Sequence, residues 1–178
     1  MLRQPNLETA RLRLRPFRNS DADEVQRLAG DPAVADTTLK IPHPYEDGMA
    51  EKWISNHRDW FERDEQAVFA ITRKDDGRLL GAIGLRIERE DQRAELGYWL
   101  GQPYWGRGFC TEAARAMVGF GFGPLGLRRI EARVLRRNVA SGRVLHKIGM
   151  AREGRLRQHT RKGDVFEDLE VYGIIAEP

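Results

Sequence analysis

The sequence predicts a mixed α/β fold in which one central sheet of mixed strand direction is flanked by helices, in the order βααβββαβαββ. Two observations carry that expectation. Apolar residues recur with period two in short runs and with helical spacing in the segments between them, so strands and helices alternate along the chain. Consecutive strands in the middle and at the end are joined by short turns containing Asp and Gly, and such hairpins exclude a purely parallel, doubly wound sheet. At 178 residues, against roughly 150 per domain, residues 1–178 fit a single domain able to bury a full core.

The elements follow in order. Leu12 and Leu14 alternate with Arg11, Arg13 and Arg15, a half-exposed strand ended by Pro16. Ser20 followed by Asp23 resembles a capping box for a first helix that runs through Val25 and Leu28 to Gly30. Thr37 to Asp47, with Pro42 and Pro44, has no period and reads as a loop. Trp53, Ile54, His57, Trp60 and Phe61 then fall at helical spacing, which predicts a second amphipathic helix over Gly48 to Arg63. Ala67 to Thr72 and Leu79 to Ile87 are strand-like and joined by Lys74-Asp75-Asp76-Gly77, a hairpin turn. Ala94 to Leu100 is a third strand of this group, with Leu96, Tyr98 and Leu100 on one face and Glu95, Gly97 and Trp99 on the other. A glycine-rich turn leads into a mostly apolar helix, Phe109 to Phe122, which Gly123-Pro124-Leu125-Gly126 breaks. Arg129 to Leu135 alternates as a strand, Asn138 to Ile148 is helical, and Gly149 ends that helix. Two last strands, near Met150 to Gln158 and Val165 to Ile175, flank a Lys162-Gly163-Asp164 turn.

Composition removes several classes. The single cysteine, Cys110, forms no internal disulfide, and no run of 18 apolar residues exists to span a membrane. The N-terminus from Met1 to Asn6 lacks the apolar run of a signal peptide, so a cytoplasmic protein is expected. Of 30 basic residues only five are lysine, a bias that reads as genomic composition. Their distribution says more. Residues 19–96 carry 11 basic and 18 acidic side chains, whereas residues 128–162 carry 12 basic and 2 acidic. That asymmetry predicts an anionic ligand near the C-terminal half and a cationic one near the N-terminal half.

The turn from Gly101 to Ala113 joins a strand to a helix, and Gly106 and Gly108 let its backbone turn tightly with successive N–H groups pointing outward. Beside the positive end of the helix this makes a phosphate cradle, although a tight turn with no ligand has the same local pattern. A P-loop is excluded, because Arg107-Gly108 stands where its lysine and hydroxyl belong. A dinucleotide fingerprint lacks its third glycine, replaced by Thr111, although Glu131 at the next strand could mimic the ribose acid. The remaining reading is a turn for acetyl-CoA. Glu95-Leu96-Gly97-Tyr98-Trp99-Leu100, Tyr104-Trp105-Gly106-Arg107-Gly108-Phe109 and Thr111-Glu112-Ala113 resemble the central motif of the GNAT N-acetyltransferases, in the branch named for the ribosomal-protein alanine acetyltransferases RimJ and RimL. Asn138-Val139-Ala140-Ser141 with Val144 to Met150 resembles the branch's downstream motif, and Glu8 to Arg15 matches its opening.

The resemblance implies a GNAT fold, acetyl-CoA as cofactor and direct transfer of acetyl to a primary amine of a protein N-terminus or small molecule. It puts the CoA pyrophosphate on the backbone of Trp105, Gly106, Arg107, Gly108, Phe109 and Cys110, with Thr111 and Lys147 of the matched motifs on the cofactor side. It lays the pantetheine arm along Tyr98, Trp99 and Leu100, with an N–H near Leu100 to polarise the thioester. Asn138 matches the asparagine that bonds the pantetheine, and is equally a helix N-cap. Trp105 and Cys110 depart from the residues usual at their places, and Leu145 stands where many members carry an acidic tyrosine. Ser141 is therefore the expected general acid and Glu95 the expected base, with Glu112 structural. Trp53, Trp60 and His159 are assigned to the acceptor side, where the surplus acid of residues 19–96 suits a cationic amine. No metal ligand is assigned, and the partner expected is the acceptor, with a monomer or homodimer, no membrane and no stable nucleic-acid complex. Two other functions stay open: a non-catalytic acyl-CoA sensor of the same fold, and a nucleic-acid or ribosome binder using the basic stretch 128–162, against which stands its shortage of stacking aromatics.

Overall fold

Eight strands hydrogen-bond into one sheet in the computed structural model, which describes residues 4–177. Met1, Leu2 and Arg3, part of the leader argument above, and Pro178 lie outside the described residues. The strands are β1 (Leu7–Glu8), β2 (Leu12–Arg15), β3 (Gln66–Arg73), β4 (Leu79–Glu88), β5 (Arg93–Leu100), β6 (Arg129–Leu135), β7 (Ala151–Lys162) and β8 (Val165–Ile175), in the order β1-β2-β3-β4-β5-β6-β8-β7. Every neighbouring pair is antiparallel except β5–β6. The sheet is thus mixed, as the hairpins required. The helices are α1 (Ala22–Ala29), α2 (Pro32–Thr37), α3 (Met49–Ser55), α4 (His57–Glu62), α5 (Phe109–Phe122) and α6 (Val139–Lys147).

Period-two alternation sends side chains to two faces, and helices cover both. On one face Phe69, Ile71, Ile83, Leu85 and Leu96 meet Ala113, Met117 and Phe120 of α5 and Leu145 of α6. On the other, Ala70 and Leu79 meet Val25 and Ala29 of α1 and Ala50 and Ile54 of α3, with Trp53 and Trp99 packed alongside. The feature that shapes the site is the parallel pair. β5 and β6 run together only over Arg93–Glu95 and Arg129–Glu131, then splay. From Leu96 to Leu100 the β6-facing edge of β5 borders a cavity.

The structure departs from the expected elements in five places. A short strand, β1, precedes β2 and closes a tight turn through the Thr9 N–H to Leu12 carbonyl bond of 2.9 Å. The Ser20–Asp23 capping box does not form: Asp21 instead accepts from the Arg18 backbone N–H at 2.8 Å and binds Arg15 bidentately, which satisfies a carboxylate that is 8% exposed. The extra helix α2 starts where Asp31 caps the Ala33 N–H and Pro32 supplies the first helical residue. The expected Gly48–Arg63 helix breaks at Asn56, because the Lys52 carbonyl accepts from the Ser55 hydroxyl and the Asn56 amide, and the Asn56 N–H turns to Trp53 instead. The last hairpin reaches beyond Gln158 to Lys162, with an irregular register between Leu156 and Thr160.

Candidate active site

Gly106 and Gly108 both take left-handed backbone angles, φ +73° and +78°, that a side chain would strain. A Cβ at Gly106 would meet nothing within 4 Å, so the outer surface of the turn is open. Gly108 is the N-cap of the 14-residue helix α5, and no side chain caps its first N–H groups. The turn is propped from behind by Arg11, which donates to the Arg107 carbonyl at 3.0 Å, lies 4.5 Å over the Phe109 ring and pairs with Glu112 at 2.7 Å. Glu112 also accepts from the Thr9 hydroxyl and the Arg11 backbone N–H. Burial opposes its ionisation, but these donors outweigh it and hold its carboxyl below the usual range. Glu112 is thereby the tie between the N-terminal strands and the turn. Trp105 contributes its indole N–H to the Leu100 carbonyl at 2.8 Å, pinning the turn to the end of β5.

The turn opens into a cavity of about 580 Å³. Trp105, Gly106, Gly108, Phe109, Cys110 and Thr111 line its mouth; Tyr98, Trp99 and Leu100 line the β5 side, and Asn138, Ser141 and Lys147 the α6 side. Arg107 alone of the expected cofactor residues is not in the lining: its side chain is exposed on the turn and its carbonyl is held by Arg11. Burial pushes the Cys110 thiol up to about 12, so it packs as a small apolar group. Asn138 caps α6 by accepting from the Ser141 N–H at 3.1 Å and donates to the Thr37 carbonyl at 3.1 Å. One acceptor lone pair and one amide hydrogen remain for a ligand. The Tyr98 hydroxyl lies 2.8 Å from Ser141 Oγ. Burial drives the Tyr98 phenol far above its ordinary value, so it stays protonated.

The other side of the cavity is the opposite face of the sheet. Gln66, Arg86, Glu95 and Glu131 stand in one row across β3, β4, β5 and β6. Glu95 is bound by Arg86 across the strand pair. One step along the strands, Gly84 and Gly97 pair directly, and a Cβ on Gly97 would meet nothing within 4 Å. These glycines make a bare floor between Glu95 and Trp99. Trp53 and the segment Thr37 to Ile41 form the facing wall.

Two expected acceptor residues are not brought there. Trp60 follows the break at Asn56 and packs against His57, ring centroids 5.6 Å apart, outside the lining. His159 is exposed in the irregular stretch of β7 and also outside it. The expected excess of acid toward the acceptor is likewise corrected. Among the described residues Glu95 is the single carboxylate in the lining, because Asp21, Asp36, Asp64 and Glu88 are held by Arg15, Arg137, Arg89 and Arg93 elsewhere. Sequence reasoning gave no role to Arg11, Arg86 or Arg133, all of which stand at the turn or cavity. Arg11 belongs to the matched opening block, its one sequence signal; the other two are marked by nothing local.

The residues present fit acetyl-CoA: a left-handed glycine turn with outward N–H groups at a helix start, and a cavity between splayed strands leading from it to the Tyr98–Ser141 pair. The comparisons agree. A family model described as "Acetyltransferase (GNAT) domain" matches residues 11–151. The N-acetyltransferase p20 of Bacillus licheniformis is 32% identical over 171 residues, 95% of each chain. The ribosomal-protein-serine acetyltransferase of Escherichia coli is 30% identical over 117 residues, 65% of this chain and 64% of that one. Among solved structures, RimL, the ribosomal L7/L12 alpha-N-protein acetyltransferase, in complex with coenzyme A, superposes with a TM-score of 0.89 at 19% identity, covering 96% of this chain and 98% of that one. The chain belongs to the GNAT family of N-acetyltransferases, its relatives including ribosomal-protein acetyltransferases of the RimJ/RimL-like branch.

Proposed function

We propose that the chain transfers acetyl from acetyl-CoA directly to a primary amine, of a protein N-terminus or a small molecule, in a ternary complex. One juxtaposition supports this reading: the glycine turn and the Tyr98–Ser141 hydroxyl pair open into the same cavity, with the Glu95 carboxylate on its other side. On this reading the turn from Gly106 to Cys110 holds the pyrophosphate on backbone N–H groups, the Trp105 N–H being taken by the Gln102 carbonyl, while the free edge of β5 takes an extended arm and Asn138 bonds it. When bound, acetyl-CoA supplies an activated acyl group with a thiol as leaving group.

The chain's own residues then have two proton tasks. Ser141 Oγ gives up a proton on the leaving side. Tyr98 Oη, kept protonated by burial, lies 2.8 Å from Ser141 Oγ and 3.3 Å from the Ser141 carbonyl, and with Tyr98 as the donor to Oγ the serine's hydrogen is free to point forward. Glu95 removes the proton of the incoming ammonium, directly or through one water, while Arg86 fixes the carboxylate's orientation. The test is thiol release from acetyl-CoA against a panel of peptides and small amines. Ser141→Ala is expected to lower kcat by about 100-fold with acetyl-CoA binding retained, and Glu95→Gln to lower kcat by a similar factor, also with acetyl-CoA binding retained. Full turnover by Ser141→Ala, or acetyl-CoA binding with no thiol release for any acceptor, overturns the assignment.

A further inference from the structure

Resting on that reading of the cavity, we propose that the acceptor amine carries a carboxylate close by, and that Arg133 receives it. The charges lining the cavity are unequal. Among the described residues five cations, Lys40, Arg86, Arg133, Arg143 and Lys147, face one carboxylate, Glu95. Arg143 and Lys147 belong to α6, whose end is tied to α5 by the Arg115 to Lys147 carbonyl bond of 3.0 Å, and so serve the side of the glycine turn. Arg86 is matched to Glu95. Arg133 and Lys40 are left over.

Arg133 stands on β6 one step beyond Glu131, and Gly97 stands on β5 one step beyond Glu95, its register partner. The guanidinium therefore sits across the splay from the bare glycine floor. Its counter-charge is poor: Glu131 lies at 3.4 Å and at the same distance from Arg93 and Arg129, so three guanidiniums share one carboxylate. Arg93 and Arg129 have further partners in Glu88 and Glu153, and Arg133 has none. Its Nε is sealed from solvent without a hydrogen-bond partner and Nη2 makes the long bond to Glu131, so among the described residues Nη1 is left without a partner. A guanidinium with unspent donors presents a fork that matches a carboxylate. Lys40, exposed at the opposite wall, adds a second positive charge. A polyamine would meet two unmatched cations here, whereas an amine with an acidic side chain beside it, or a free amino acid, would neutralise one or both.

The experiment compares matched peptides that differ only by Asp or Asn next to the N-terminal residue, a free amino acid and spermidine. Thiol release is measured, and in parallel each acceptor is titrated calorimetrically into the full chain saturated with coenzyme A. The acidic peptide is expected to exceed its amide twin about tenfold in kcat/KM and in affinity, with the ratio falling toward one in Arg133→Gln, surviving in Arg133→Lys and shrinking in the parent protein as salt rises. The free amino acid separates a requirement for the carboxylate from one for a peptide. An amide peptide or spermidine that matches the acidic peptide, or a ratio unchanged in Arg133→Gln and by salt, overturns the proposal. Should acidic peptides bind preferentially through Arg133 with no thiol released, the transfer reading falls and the acceptor charge stands; thiol release without preference removes this proposal alone.

Discussion

His57 shows how one residue's surroundings override its ordinary chemistry. It is 4% exposed among Phe17, Trp53 and Trp60, and neither ring nitrogen has a hydrogen-bond partner. Burial lowers its pKa from 6.5 to about 4. The folded protein therefore holds it neutral while the unfolded chain protonates it below about 6.5. Stability contributed by this site is intact above that pH and falls as pH drops, by about 3 kcal/mol when pH 4 is reached. In urea titrations at pH 7.5 and 5, His57→Leu is expected to lose much less stability on acidification than the parent. An equal loss in both would show that His57 does not titrate between them. At this scale the sequence was informative where a residue acts through its backbone or own chemistry, as in Gly106, Gly108 and the buried thiol of Cys110. It was silent on partners distant in the chain: nothing local foretells that Tyr98 meets Ser141, or that Arg11 meets Arg107 96 positions away.

Elements whose signals are local were legible to within a residue or two. The strands β3, β4, β5, β6 and β8 and the helix α5 follow the periods from which they are expected, and the cap at Asn138 forms as its side chain allows. The helix break at Asn56 was not legible, since the apolar spacing of Trp53, Ile54, His57 and Trp60 continues through it. Two side chains competing for one carbonyl decided it. That break is what turns Trp60 away from the cavity while Trp53 stays. In β5 the element and the site pull in opposite directions. Gly97 weakens a strand, yet its open space is the floor on which the proposed function seats the acceptor. Gly97→Val adds β propensity at a position without positive φ, so stability is expected to be unchanged or to rise by up to about 1 kcal/mol. Acceptor kcat/KM is expected to fall at least tenfold while acetyl-CoA still binds. Retained acceptor kinetics in that variant would place the amine elsewhere.

For the whole molecule, the charge asymmetry of the sequence does not map onto two ligand halves. Most carboxylates of residues 19–96 are consumed by arginines on the surface, where each pair is worth about 1 kcal/mol or less. Some of those pairs join distant parts. Arg137 binds Asp36, Lys162 donates to the Ala35 and Thr38 carbonyls, and Asn138 donates to Thr37, so α6 and the last hairpin grip the end of α2 that forms one cavity wall. Linear charge counts average over such pairing, which is why the fold was readable in the sequence and the charges that line the cavity were not.

The brief seam between β5 and β6 has a consequence for how the chain exchanges with solvent. Beyond Glu95, those N–H groups of β5 that point away from β4 have no strand to receive them. They are amides at the edge of an otherwise protected sheet, accessible to water from the cavity. In deuterium labelling the segment Leu96 to Leu100 is expected to take up label faster than β3 or β4, and saturating acetyl-CoA is expected to slow it selectively. Exchange as slow as that of β4 without ligand would mean the gap is already closed. On the proposed reading the cofactor takes the place of a missing strand at this empty edge, and its occupancy can be read as protection of the alternate amides that point away from β4.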